Sequence, residues 1–160
     1  MKRNRIFKII LSWLLVVLWM FMIFYLSNMN DKNSSKMSKG LVEKSVTASF
    51  DVGSKIGIVS KPSESEIKSI VTSLHTPVRK VAHFTEYLIL SLLLYNALVV
   101  SGVSKNKIFL IALLICFLYS CSDEIHQLFI NGRAGKLYDV VIDTTGSLVG
   151  LVILKVKKCI

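Results

Sequence analysis

Arg79, His83, Glu86 and Tyr87 fall at i, i+4, i+7 and i+8, along one stripe of a helix, with Lys80 beside them. A second group follows at Asp123, Glu124 and Gln127, where Gln127 lies four residues from one carboxylate and three from the other. Arg133 and Lys136 come next, and Asp139 with Asp143 opens a third stripe that continues through Gly146 and Gly150. Three kinds of chemistry suit these side chains. As a binding site, Arg79 and Arg133 offer guanidinium forks to a phosphate or carboxylate, while the carboxylates and Gln127 meet sugar or amine groups. As an enzyme, His83, Glu86, Asp123, Asp139 and Asp143 supply the oxygen and imidazole donors of a divalent cation facing a phosphoryl group, or His83 acts as a base oriented by Glu86. As structure alone, the basic Arg79, Lys80, Arg133 and Lys136 nearly balance the acidic Glu86, Asp123, Glu124, Asp139 and Asp143 and pin the fold as a network.

The elements that position these groups are read from hydropathy. The 160 residues suffice for one compact unit, not for two large domains. With 52% of them apolar, 19% charged and a mean hydropathy of +0.58, the chain is too apolar for an ordinary soluble domain. The apolar residues collect in four blocks near the length that crosses a hydrocarbon core, about 20 residues per helix. The reading is an all-α membrane protein of one domain, a four-helix transmembrane bundle with spans at about 6–26, 81–100, 108–129 and 138–154. The first block is longer than a signal-peptide core and rich in Trp13, Trp19, Phe21, Phe24 and Tyr25, so it reads as a retained helix. Ser101-Gly102 ends the second span, and Asn131-Gly132 with Gly135 marks the turn before the fourth.

Residues 27–80 form the one long hydrophilic segment, an extramembrane loop carrying short amphipathic helices. Ser63 and Glu66 fit a capping box. Ile67, Ile70, Val71 and Leu74 then repeat at helical spacing, and Pro77 is expected to close that helix. A weaker helix is expected over 36–50, with Met37, Leu41 and Val42 apolar, and His75 is expected in solvated loop. The segment is too small for a core of its own and suits a lid.

In an up-down bundle the start of the second span, the end of the third and the start of the fourth share one membrane face. The three polar groups therefore meet there, one to two helical turns below the surface. Charged groups inside a span cost roughly 3 kcal/mol each on insertion scales and normally face the bundle interior and a partner. The net charge of +10 comes from residues between and beside the apolar blocks, which suits anchoring and anionic lipid more than nucleic acid. Lys2, Arg3, Arg5, Lys8, Lys105, Lys107, Lys155, Lys157 and Lys158 crowd very short segments on one side. The basic residues of the other side are spread over far more chain, so both termini are expected in the cytoplasm. Cys116, Cys121 and Cys159 form no CxxC and no disulfide framework. Trp13 and Trp19 read as packing or lipid-facing residues, His126 as interfacial, and no inverted repeat suggests transport.

The blocks Arg79-Lys80-x-x-His83-Phe84-x-Glu86-Tyr87, Asp123-Glu124-x-x-Gln127 and Gly132-Arg133-(x5)-Asp139-(x6)-Gly146 resemble the VanZ-like family of bacterial membrane proteins. Phe24-Tyr25-Leu26-Ser27, followed by Ser35 and Ser38, is similar to the family's opening. The resemblance covers most of the chain and is thin over 39–76. It departs at Asp143, where the family pattern favours asparagine, and so adds an acidic group to the cluster. The family takes its name from a protein linked to resistance to teicoplanin, a glycopeptide that acts on cell-wall precursors at the outer surface. The resemblance therefore implies a multi-pass protein of the bacterial plasma membrane with its polar site outward. Membrane lipids, a lipid-linked cell-wall precursor or a glycopeptide are the partners it suggests. It supplies no reaction and names no cofactor, although a divalent cation is compatible with the donor set.

Overall fold

The computed structural model describes residues 2–29, 31–60, 62–130, 132, 133 and 135–157, and every regular element among them is a helix. They are α1 (Lys2–Ser27), α2 (Asp31–Lys55), α3 (Glu64–Ser101), α4 (Lys105–Gln127) and α5 (Leu137–Lys157). α1, α3, α4 and α5 are each long and apolar enough to cross a membrane. Their outer faces carry Phe7, Leu18, Phe21, Leu110, Leu118 and Val141, all more than half exposed. Such a surface suits a lipid environment and not water.

The hydrophilic segment differs from its expected form. It is not a loop with two short helices: α2 is one helix of 25 residues, and the stretch from Glu64 joins the second span in a single helix of 38 residues. Pro77 lies inside α3 and does not end it. Proline removes one backbone donor and crowds the preceding turn. Here it stands on an exposed face, amid a helix held at both ends by good caps. At the start, Ser63 Oγ accepts from the Glu66 amide and the Ser63 amide donates to Glu66 Oε2 at 2.8 Å, so the expected capping box is present. At the end, Gly102 adopts a left-handed φ of 86°, and its amide bonds back to the Leu98 and Val99 carbonyls. A helix of this length spans roughly 57 Å, about twice a hydrocarbon core, so its first half extends beyond the span. α2 lies along that half, with Val42 and Val71 buried in the pair. His75 accordingly sits in the helix, not in a loop, its Nδ1 2.9 Å from the Thr72 carbonyl oxygen.

The bundle core comprises Val16 and Ile23 of α1, Tyr87, Leu90, Leu94 and Ala97 of α3, Ile108, Ala112 and Cys116 of α4, and Leu151 of α5. α3 and α5 share the most extensive packing. Small residues permit it. A Cβ at Gly146 would collide with the Phe84 carbonyl, and one at Gly150 with Ser91 Oγ and, at 2.9 Å, the Leu88 carbonyl oxygen. The two backbones touch there, as small-xxx-small faces allow. α1 is tied across the bundle by Trp13 Nε1 to Ser101 Oγ (3.0 Å), Trp19 Nε1 to the Glu86 carbonyl (2.9 Å) and Tyr119 Oη to the Met20 carbonyl (2.6 Å). Both tryptophans therefore pack and bond inward.

Gly146→Ala should lower the unfolding midpoint in detergent, by an amount in the over-packing range of roughly 1–3 kcal/mol. Gly40→Ala, in α2 with open space around the new Cβ, should raise it slightly through helix propensity. Thermal melts of both variants check this opposition of sign. Equal effects would mean that α3 and α5 are not in backbone contact.

Candidate functional site

α1 leaves its N-terminus on one side, and the alternation of α3, α4 and α5 then fixes which ends meet. At one end of the bundle Arg5 reaches Gly102, and Asn96 Nδ2 donates to Ser12 Oγ. At the other end stand Ser27 of α1, His83 and Glu86 of α3, Asp123 and Gln127 of α4, and Asp143 of α5. The contacts between these residues define the candidate site.

Asp143 is its centre. It is 0% exposed, one turn before the Gly146 contact, because the approach of α5 to α3 carries its side chain between the helices. Ser120 Oγ donates to Asp143 Oδ2 at 2.7 Å. His83 Nδ1 lies 4.0 Å from Asp143 Oδ1 and 3.7 Å from Glu86 Oε2. His83 and Glu86 keep 16% and 17% of their side chains exposed, so they form the accessible edge of the cluster. Tyr87, also 0% exposed, packs its ring against Tyr119 with centroids 6.2 Å apart. Asp123 and Asp139 both lie close enough to His83 and to Asp143 for their charges to act on them. Arg79 and Arg133 act on His83 in the same way.

A second part of the cluster closes on itself. Gln127 Nε2 donates to Ser27 Oγ and to Asp123 Oδ2, both at 3.1 Å, joining α1 to α4. The Lys136 amide donates to Glu124 Oε2 at 2.7 Å, so Glu124 caps the turn that leads into α5. Arg133 Nη2 reaches the Leu26 carbonyl at 3.5 Å. Gly132, with φ of 82°, makes the reversal that this connection needs; Asn131 lies outside the described residues. Gly135 packs against Glu124, where a Cβ would meet the carbonyl oxygen at 2.5 Å.

All the site residues expected from sequence thus lie on α3, α4, α5 and the α4–α5 turn, and most converge. Two point elsewhere. Lys80 Nζ sits 4.5 Å over the Tyr138 ring, and the Lys136 side chain is exposed, so both belong to the rim. His126 stands apart, stacked on Phe24 and 3.3 Å from Asn28 Oδ1. Ser120 and Ser27 were not among the expected residues. Ser120 carried no signal in its apolar block, and Ser27 only its place in the Phe24-Tyr25-Leu26-Ser27 block that ends the first span.

Among the described residues no group of three His, Cys, Asp or Glu side chains is arranged to hold a metal ion. The candidate donor set of His83, Glu86, Asp123, Asp139 and Asp143 therefore lacks a ligand geometry. Among the buried atoms of the cluster, His83 Nδ1, Tyr87 Oη, Asp123 Oδ1 and Asp143 Oδ1 make no hydrogen bond among the described residues. Buried polar atoms are almost always bonded, to protein or to ordered water, so these atoms have capacity for a further partner.

The profile of the VanZ/LLP1 family matches residues 12–158. The chain belongs to the VanZ/LLP1 family. The match takes in α1 from Ser12 onward, α2 to α5 and every residue of the candidate site, and membership fits a membrane protein. No curated protein and no solved structure matches this VanZ/LLP1 chain.

The Ser27–Gln127 bond should contribute as interhelical bonds in membranes do, about 0.6 kcal/mol and at most about 1.7 kcal/mol. A double-mutant cycle on Ser27→Ala and Gln127→Ala, followed by unfolding in mixed micelles, should return a coupling of that size. A coupling of zero would mean that the Ser27–Gln127 bond does not join α1 to α4.

Proposed function

We propose that the cluster binds the polar head of an envelope amphiphile, and that through this ligand the protein affects susceptibility to glycopeptides such as teicoplanin. The amphiphile is a membrane lipid, a lipid-linked cell-wall precursor or the glycopeptide itself. The observation that carries the reading is the set of buried polar atoms left unbonded beside the exposed edge of His83 and Glu86. A network that existed only to pin the helices would have satisfied them, since an unpaired polar group in a low-dielectric interior is costly. With the termini in the cytoplasm of a bacterium, the site opens at the outer face of the plasma membrane, where such ligands reside. α2 and the first half of α3 stand over that face and suit the role of a lid.

A structural reading has its own support in one half of the cluster. Gln127 donates to Ser27 and Asp123, Glu124 accepts from the Lys136 amide, and removing Gln127 or Glu124 should loosen the bundle. The alternative of a membrane enzyme acting on a phosphorylated or lipid-linked substrate has less, because its donor set shows no three-ligand convergence for a metal ion among the described residues.

In a strain lacking the chromosomal copy, complementation with Arg79→Ala, Glu86→Ala or Asp139→Ala should abolish any change in teicoplanin susceptibility that the wild type confers. All three variants should reach wild-type levels in the membrane and run as wild type in detergent. Loss of accumulation would favour the pinning network. An undiminished effect in all three would show that the cluster is not where the protein acts.

A further inference from the structure

Asp123 and Asp143 are held alike. Each has one carboxylate oxygen tied to its own fold, Asp123 Oδ2 by Gln127 and Asp143 Oδ2 by Ser120. Each leaves Oδ1 buried and unbonded, in side chains that are 3% and 0% exposed. The Tyr87 hydroxyl, equally buried, makes no hydrogen bond either, and His83 Nδ1 stands 4.0 Å from Asp143 Oδ1, beyond hydrogen-bonding distance. Anchoring through one oxygen fixes the direction of the other, which is how a recognition carboxylate is kept in place when its ligand leaves.

The charges around this set are unequal. Asp123, Glu124 and Asp139 all act on Asp143, whereas Asp123 and Arg133 act on Glu86 with opposite signs. The basic groups within reach of His83 are Arg79 and Arg133, while Lys80 and Lys136 stand at the rim. The interior of the site thus holds the Asp123 and Asp143 carboxylates together with part of the Arg133 guanidinium, and its rim carries Lys80 and Lys136. A metal ion would need three of the acidic or imidazole ligands in convergence, which the described residues do not provide. A primary ammonium needs less: it has three donors and no acceptor, and takes carboxylate and hydroxyl oxygens in any mixture. Between α4 and α5, beside Glu124, an apolar groove of ≈ 400 Å³ lined by Ile125, Leu128, Leu137 and Val140 offers room for an acyl chain.

We infer that Asp143 and Asp123, with Tyr87, receive the ammonium group of an amine-headed lipid whose phosphate meets the basic rim and whose chain lies along the α4–α5 groove. This rests on the binding reading above and names its ligand class. The rim lysines and the two buried carboxylates match a headgroup in which phosphate and amine are one short linker apart.

The test is native mass spectrometry of the full-length protein released from nanodiscs of three compositions. These hold phosphatidylethanolamine, the same lipid with its amine acetylated, or phosphatidylglycerol, each in a phosphatidylcholine background. The wild type should retain phosphatidylethanolamine at least about tenfold over either other probe, where tenfold corresponds to about 1.4 kcal/mol. Asp143→Asn keeps the shape and the Ser120 contact and should lose that preference; Tyr87→Phe, which removes one hydroxyl, should weaken it. The wild-type comparison needs no variant and stands even if one fails to fold. Equal retention of all three lipids would overturn the amine inference and leave the binding reading intact. Retention of none, with a lipid-linked precursor or a glycopeptide held instead, would also overturn it while supporting that reading. Retention of nothing at all would remove both.

Discussion

The contact on which the rest of the structure depends is the approach of α5 to α3 at Gly146 and Gly150. Lipid gives helices no hydrophobic reason to associate, so a membrane bundle holds together where backbones come close and where polar groups find partners. Here the two occur on one stripe. Asp139, Asp143, Gly146 and Gly150 follow a single face of α5, and the absence of side chains at the two glycines draws the two carboxylates in with it. Asp143 is buried because Gly146 is small. Ser147, one residue further, donates to the Tyr87 carbonyl and fastens the same interface.

That constraint explains why the polar cluster is asymmetric. α3 and α5 can carry charged groups at only one end if the rest of their contact is to remain close and apolar, and the end chosen is the one joined to the helical extension of α2 and α3. α4 and α1 then complete the enclosure, α4 with Ser120, Asp123 and Gln127, and α1 with Ser27 and the Trp19 indole. The α4–α5 turn belongs to the same construction, since Glu124 caps it and Gly135 packs beneath it. One part of the cluster is thus devoted to holding helices together. The other part, from His83 to Asp143, is held in position by that work and keeps atoms unspent.

Much of this was legible in the sequence. Four apolar blocks of spanning length gave the four candidate spans, because length and hydropathy are nearly sufficient in a membrane. The spacing of Arg79, His83, Glu86 and Tyr87, and of the α5 carboxylates and glycines, gave the faces, because helical periodicity is rigid. The capping box at Ser63 was local and therefore readable. The continuity of α3 was not: Pro77 signals an end on its own, but flanking caps and solvent on its exposed side outweigh one lost bond. The length of α2 was hidden by its polar composition, with Met37 and Leu41 exposed and Val42 alone of that trio buried. The partners of the carboxylates were hidden for another reason. Ser120 and Ser27 lie in different helices from the groups they hold or flank, and a serine in an apolar block has no distinctive pattern. The rim position of Lys80 depended likewise on a ring, Tyr138, that only tertiary packing brings near.

The central claim is that the buried oxygens of Asp123 and Asp143 are directed at a ligand and not at the protein. An experimental structure of the wild type in lipid nanodiscs, at a resolution that separates carboxylate oxygens, tests it most directly. Non-protein density is expected within hydrogen-bonding distance of both Oδ1 atoms, continuous toward the His83–Glu86 edge. Direct pairing of the two carboxylates with Arg79 and Arg133, leaving no room between them, would contradict it and make the cluster a pinning network throughout.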